Sequence, residues 1–361
     1  MKLFNCEAYK LYVKRGLLIV FVLCLVFEVF LCVKNANAAK LTDREDQKKY
    51  DFYMSEFAGE LTEEKQKKIE ELIEQDAELA SVKDNLDKQY IERKITEEEY
   101  EEGIKRYNEL AVGRSGFNVF ATDYQNALDS GRCLIDQKPW TVLFGNESID
   151  FAFVLFIILS VVLLSVYDEE SGANSLTFPT ENGKGRKWCS QFVLLILTAM
   201  LSSATVSIVK YLAVDMAYGL ENGSFLLSNI EAFFGTSNEL SLLGGYVTLL
   251  LVKMFGSIYM AILALFFGTV LKQSLLTFFT SFSVIFLPNY ILPNREYKYL
   301  IPLPSAFLTA NGYLYGDNIG DIVYFKALNV TQISVVASLA VIILTALATV
   351  SYFMTARRKS L

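Results

Sequence analysis

The most constraining feature of this chain is a set of apolar runs long enough to cross a bilayer. Residues 16–33, 151–167, 192–213, 242–271, 275–292 and 333–354 are each almost free of charge. A membrane-spanning helix needs about 20 consecutive apolar residues. Six runs therefore predict six transmembrane helices, and an all-α polytopic membrane protein follows. The fourth run is longer than a span requires and contains Lys253, so it is expected to be tilted, kinked or partly outside the bilayer. Composition agrees: 53% of residues are hydrophobic and the mean hydropathy is +0.32.

Charge is concentrated between the first two runs. Residues 40–150 hold 27 acidic and 16 basic side chains, a balance of −11 against −7 for the whole chain. Residues 36–150 thus read as a water-facing domain, and the pattern inside it is helical. Thr42-Asp-Arg-Glu45 and Thr96-Glu-Glu-Glu99 have the form of capping boxes. Ile69, Leu72, Ile73, Leu79, Leu86 and Tyr90 recur at helical spacing, as do Tyr100, Ile104, Tyr107 and Ala111. Two helices packed as a hairpin would bury both stripes. Residues 112–141, with Gly113, Gly116, Gly131 and Pro139, are expected to be looser. The dense Glu/Lys runs read as a solvated face, with a surface for a cationic ligand as the sharper alternative.

Orientation follows from basic residues in the short flanks. An inside N-terminus places Lys2, Lys10, Lys14, Arg15, Lys184, Arg186, Lys187, Lys272, Arg357, Arg358 and Lys359 inside, and only Arg295, Lys298 and Lys326 in the short outer segments. Both termini are then cytoplasmic, residues 36–150 are extracytoplasmic, and the protein is a multi-pass plasma-membrane protein. Residues 1–15 form an amphipathic helix, with Leu3, Phe4, Ala8, Leu11 and Tyr12 on one face and Lys2, Asn5, Glu7 and Lys10 elsewhere. Such a helix can lie along the inner surface. Residues 16–35 form the first span. The ending Ala36-Asn37-Ala38 also suits a cleavable signal peptide, which would leave the remaining topology unchanged. Residues 293–332, rich in Pro and Gly with apolar residues among them, are expected to dip into the outer leaflet while packed on protein. Residues 225–234 are expected to do the same.

No catalytic chemistry is visible in the motifs. The chain has no His, and its five cysteines form no CxxC, so zinc and Cys/His chemistry are not expected. No GxxxxGK[ST], GxSxG or HExxH occurs. The chain is therefore expected to be no enzyme and to carry no cofactor or metal of its own. The acidic balance argues against a nucleic-acid partner. Charges within the apolar runs are candidates for function by default, and these are Glu28, Lys210 and Lys253. Lys210 is expected to snorkel to the outer interface, Glu28 to sit near the outer headgroups, and Lys253 is the candidate for a polar path.

The loop of residues 168–190 carries Asp168, Glu169, Glu170, Gly172, Leu176, Thr180 and Gly183-Lys-Gly-Arg186. This acidic–Gly–Leu–Gly-Arg order resembles the stretch that follows the second span in type-2 ATP-binding-cassette permeases. Pro179 and Trp188 depart from that pattern. The large insert after the first span looks like the branch that exports peptides, bacteriocins or sodium. The resemblance implies two permease subunits, alike or different, and separate ATPase subunits that carry the ATP and Mg. It makes Asp168, Glu169, Glu170, Gly172, Leu176, Lys184 and Arg186 a coupling loop, acidic at its start and basic at its end as a helix macrodipole favours. The implied activity is outward movement of a peptide, an amphiphile, a lipid or an ion. A mechanotransmission permease, and a membrane sensor or scaffold that binds through its outer domain, are the competing readings.

Overall fold

The computed structural model describes residues 2–145, 149–172, 183–233, 239–292, 299–314 and 328–356. The described residues are helical, joined by short turns and two isolated β-bridges. Helix α1 (Lys2–Tyr9) continues through a π-helical turn to Lys14. Gly16, with φ of 67°, then turns the chain into α2 (Leu17–Ala39), a left-handed conformation that glycine adopts without a Cβ clash.

The insert is α3 (Arg44–Phe57), α4 (Glu63–Ile91), α5 (Glu97–Leu110), α6 (Arg114–Asp129) and α7 (Gln137–Phe144). The helical region expected between the first and second apolar runs is therefore present. Its packing differs from the expectation. Helices α4 and α5 do form a hairpin, with Tyr90 and Tyr100 stacked at 4.4 Å. Only Ile69 and Tyr107 of the two stripes are buried, however. The core lies between α3 and α6, where Tyr50, Met54, Phe57, Phe117, Phe120 and Tyr124 close together. The glycines in residues 112–141 thus allow close packing there. Gly113 supplies a left-handed N-cap, and a Cβ on Gly116 would lie 1.9 Å from the backbone oxygen of Asp46. Thr96 and Glu99 form the expected capping box. At the start of α3 the cap is Asp43, one residue beyond Thr42, accepting from the backbone N–H groups of Glu45 and Asp46. A carboxylate there also meets the positive end of the helix dipole.

Helix α7 joins the insert to the bundle. Trp140 is buried and donates its Nε1–H to the Glu221 carbonyl at 3.1 Å. Beyond it come α8 (Phe151–Glu170, with a π-helical turn over Val162–Val166), α9 (Gly183–Tyr218), α10 (Leu242–Leu271), α11 (Ser274–Ile291), α12 (Pro304–Thr309) and α13 (Val330–Ala356). Five of these helices, α2, α8, α9, α10 and α13, are long and apolar enough to cross a membrane. The fifth apolar run forms α11, whose apolar part is shorter and which contains Pro288. Helix α8 is central, and α2 and α13 are mostly exposed, which in a bilayer is a lipid-facing or subunit-facing surface.

Helix α12 packs against α10. All six of its residues are buried, and Phe307 lies against Gly256 at the middle of α10, where a Cβ would come within 2.9 Å of its backbone. Tyr259 donates its hydroxyl to the Pro302 carbonyl at 2.9 Å. Irregular backbone at this depth is tolerated because protein, not lipid, surrounds it. Residues 225–233 are also packed on protein. They form short turns against the first turns of α10, with Leu227 beside Gly245, and cap the bundle end.

Candidate functional site

Two charged clusters hold the two ends of α8. At the end bearing α1, Asp168 is buried to 1% exposure and meets three cations. Lys10 approaches at 2.5 Å, Lys187 at 2.8 Å, and Arg15 completes the set. Arg15 also lies over the Tyr167 ring at 4.7 Å. One carboxylate thereby ties α1, the α1–α2 turn and the start of α9 to the end of α8. A buried charge is tolerated only when paired, and this one is paired three times.

The same cluster explains how α1 packs. Glu7 is buried, held by Lys10 at 2.9 Å and by the Gln191 amide at 3.2 Å. Tyr12 and Thr198 share a hydrogen bond at 2.6 Å. Phe4, Ala8, Leu11 and Tyr12 of the expected face pack on the bundle core and Leu3 is exposed, while Glu7 and Lys10, expected off that face, also reach the bundle through polar contacts. The apolar face and the ionic partners on α8 and α9 thus act together in holding α1.

Past Asp168 the chain ties in the next helix turn. Glu169 lies 3.8 Å from Lys272. Glu170 accepts from the Ser274 N–H at 2.7 Å and from its hydroxyl at 2.5 Å, and so caps α11. Gly172 has φ of 70° and turns the chain out. Arg186 and Glu170 are exposed, Lys184 is half-buried and Lys187 is buried. Leu176, Pro179 and Thr180 lie outside the described residues.

At the opposite end, the residues singled out along the apolar runs come together around Asp150. Lys210 bridges Glu28 at 2.9 Å and Asp150 at 2.5 Å, and Lys253 lies 3.6 Å from the other oxygen of Asp150. The sequence reading lacked Asp150. The signal was there: an acidic residue standing directly before an apolar run is a natural mate for lysines in neighbouring runs. Lys253 is level with the beginning of α8, because the first turns of α10 lie under the cap around Leu227 and Phe144.

The two clusters supply a ruler. Asp150 to Glu169 on α8 is 19 residues, and their partners Lys253 and Lys272 on α10 are also 19 residues apart. At 1.5 Å per residue both spans are about 28 Å. That matches the roughly 30 Å hydrocarbon core of a bilayer. Parallel helices α8 and α10 are thus tied by ion pairs at both limits of an apolar slab.

No family model, no curated protein and no solved structure matches this chain. Fold and hydropathy define it as a polytopic helical membrane protein of a shape that suits a transport-type permease.

Proposed function

We propose that this chain is the membrane-spanning permease subunit of an ATP-driven exporter of the type-2 ATP-binding-cassette kind. In this reading α11 is the fifth of six spans, both termini are cytoplasmic and the insert is extracytoplasmic. The carrying observation is the platform at the α1 end. Asp168 gathers α1, α8 and α9, and Glu169 and Glu170 add the α10–α11 turn. A push delivered there reaches α1, α8 and α9 through the ion pairs of the buried Asp168, and α10 and α11 through the more exposed contacts of Glu169 and Glu170. Since the sequence holds no phosphate-binding loop, the push comes from a separate ATPase subunit that carries ATP and Mg. Glu169, Glu170, Lys184 and Arg186 form the docking surface, while Asp168 and Lys187 transmit from within.

A second permease subunit, a copy or a paralogue, completes the membrane unit. Nucleotide-driven closure of the ATPases shifts the bundle between two arrangements. The cargo is a peptide, an amphiphile, a lipid or an ion. The test is affinity isolation of the tagged full-length chain from its native membrane in mild detergent. A soluble ATPase with a phosphate-binding loop is the expected companion. Its absence from repeated isolations that retain other membrane complexes would overturn the reading.

A further inference from the structure

The Asp150 cluster does more than join helices, because it lines a vestibule. A cavity of about 600 Å³ opens at the insert end between α2, α7, α8, α9 and α10, and Glu28, Asp150, Lys210 and Lys253 all face it. That volume is far more than one water or one bare ion needs. Among the described lining residues the charges are balanced, two carboxylates against two ammonium groups. A lone cation would meet Lys210 and Lys253, and a lone anion would meet Glu28 and Asp150. A guest with both charges suits all four.

Two valences in the cluster are under-used. Glu28 is 3% exposed, and its Oε1 has no hydrogen-bond partner among the described residues. A buried acceptor in that state costs free energy until a donor arrives. Lys253 has three donors, and its ion pair with Asp150 is long at 3.6 Å. The rest of the described wall is largely apolar and includes Phe151, which is half-exposed and packs on Phe282 and Phe286 of α11. The ruler places the cluster at the edge of the hydrocarbon slab, where lipid headgroups lie.

We propose that this vestibule binds the headgroup of an aminophospholipid, its primary ammonium at Glu28 and its phosphate at Lys253, drawn from the leaflet at the insert end. A primary ammonium has protons to give to Glu28 Oε1, and a quaternary choline has none. The inference needs only the membrane setting and is independent of any ATPase partner.

The test is native mass spectrometry of the detergent-purified full-length chain titrated with phosphatidylethanolamine, phosphatidylcholine, phosphatidylglycerol and water-soluble glycerophosphoethanolamine. Phosphatidylethanolamine is expected to bind about tenfold more tightly than either other lipid, the scale of a charge-assisted hydrogen bond. Glu28→Gln and Lys253→Gln should each remove that preference. Thr141→Trp is a second variant that keeps every charge: Thr141 is an exposed lining residue, and the larger side chain should block the cavity. Equal binding of the three lipids, or undiminished preference in a folded Thr141→Trp protein, would overturn the proposal. Glycerophosphoethanolamine binding as tightly as the whole lipid would overturn the leaflet as the source.

Discussion

At the scale of single residues, Asp168 is the most consequential side chain in the bundle. It is buried beside Lys10, Arg15 and Lys187, so removing it takes one shared carboxylate from three cations and leaves Lys10 with Glu7. Asp168→Ala is expected to cost about 4 kcal/mol. Asp168→Asn should cost nearly as much, since the shape survives but the charge does not. Thermal unfolding of both variants in detergent checks this, and an Asn variant as stable as the wild type would contradict it. A second residue, Asp136, is expected to make the insert sensitive to pH. It caps α7 through the Lys138 N–H, and the Tyr50 hydroxyl donates to it and to Asp123. Burial pushes its carboxyl up to about 6, against the nearby pull of Lys138, and Asp123 is raised by burial as well. A carboxyl raised in the folded state favours folding when protonated. That contribution is complete below its unfolded value near ~4 and is lost as pH rises through about 6. Hydrogen exchange across the insert should therefore quicken between pH 4 and 7 once the intrinsic pH dependence is removed. Asp136→Asn keeps a capping side chain and should flatten the trend. A slope equal to the wild type's would contradict the assignment.

The scale of elements shows what a sequence reveals and what it withholds. Apolar run length exposed five of the long helices directly, because satisfying backbone groups in lipid leaves few alternatives to a helix. Thr96–Glu99 was legible as a cap because both partners are local. The insert's core was not legible in the same way. Glycines at 113 and 116 normally weaken a helix, yet here one turns the chain and the other admits the backbone of α3. Lys210, Glu28 and Lys253 were visible as misplaced charges, but their common partner Asp150 was hidden among the end-of-run polar residues. Pairing between distant spans has no local pattern. The two glycine contacts give matched predictions. Gly116→Ala places a methyl 1.9 Å from the Asp46 oxygen and should unfold the α3–α6 core. Gly256→Ala meets the Phe307 backbone at 2.9 Å and should displace α12 while leaving the insert intact. Limited proteolysis distinguishes them, with new cuts in the insert for the first and near α12 for the second. The same cleavage pattern in both would contradict the placement of α12.

At the scale of the whole molecule, α8 connects two chemically distinct ends. Its far end bears the charge-balanced vestibule under the insert, and its near end bears the platform built on Asp168. Two parallel helices held at equal 19-residue spacing can tilt together, whereas either alone would have to break ion pairs. In the proposed permease, that connection would carry movement between the partner side and the insert side of the bundle. Arg186 is the residue best suited to test the proposed docking apart from internal structure, since it is exposed, whereas Glu170 also caps α11 and Asp168 is buried. The most direct measurement is a paired isolation of the wild-type chain and the Arg186→Glu variant from native membranes, with quantification of co-isolated ATPase. The account predicts an ATPase with the wild-type chain, and at least about a tenfold loss with the variant, as expected for reversal of a specific interfacial charge. The variant should melt at the wild-type temperature. Equal recovery of the ATPase with both chains, or no ATPase with either, would contradict the account.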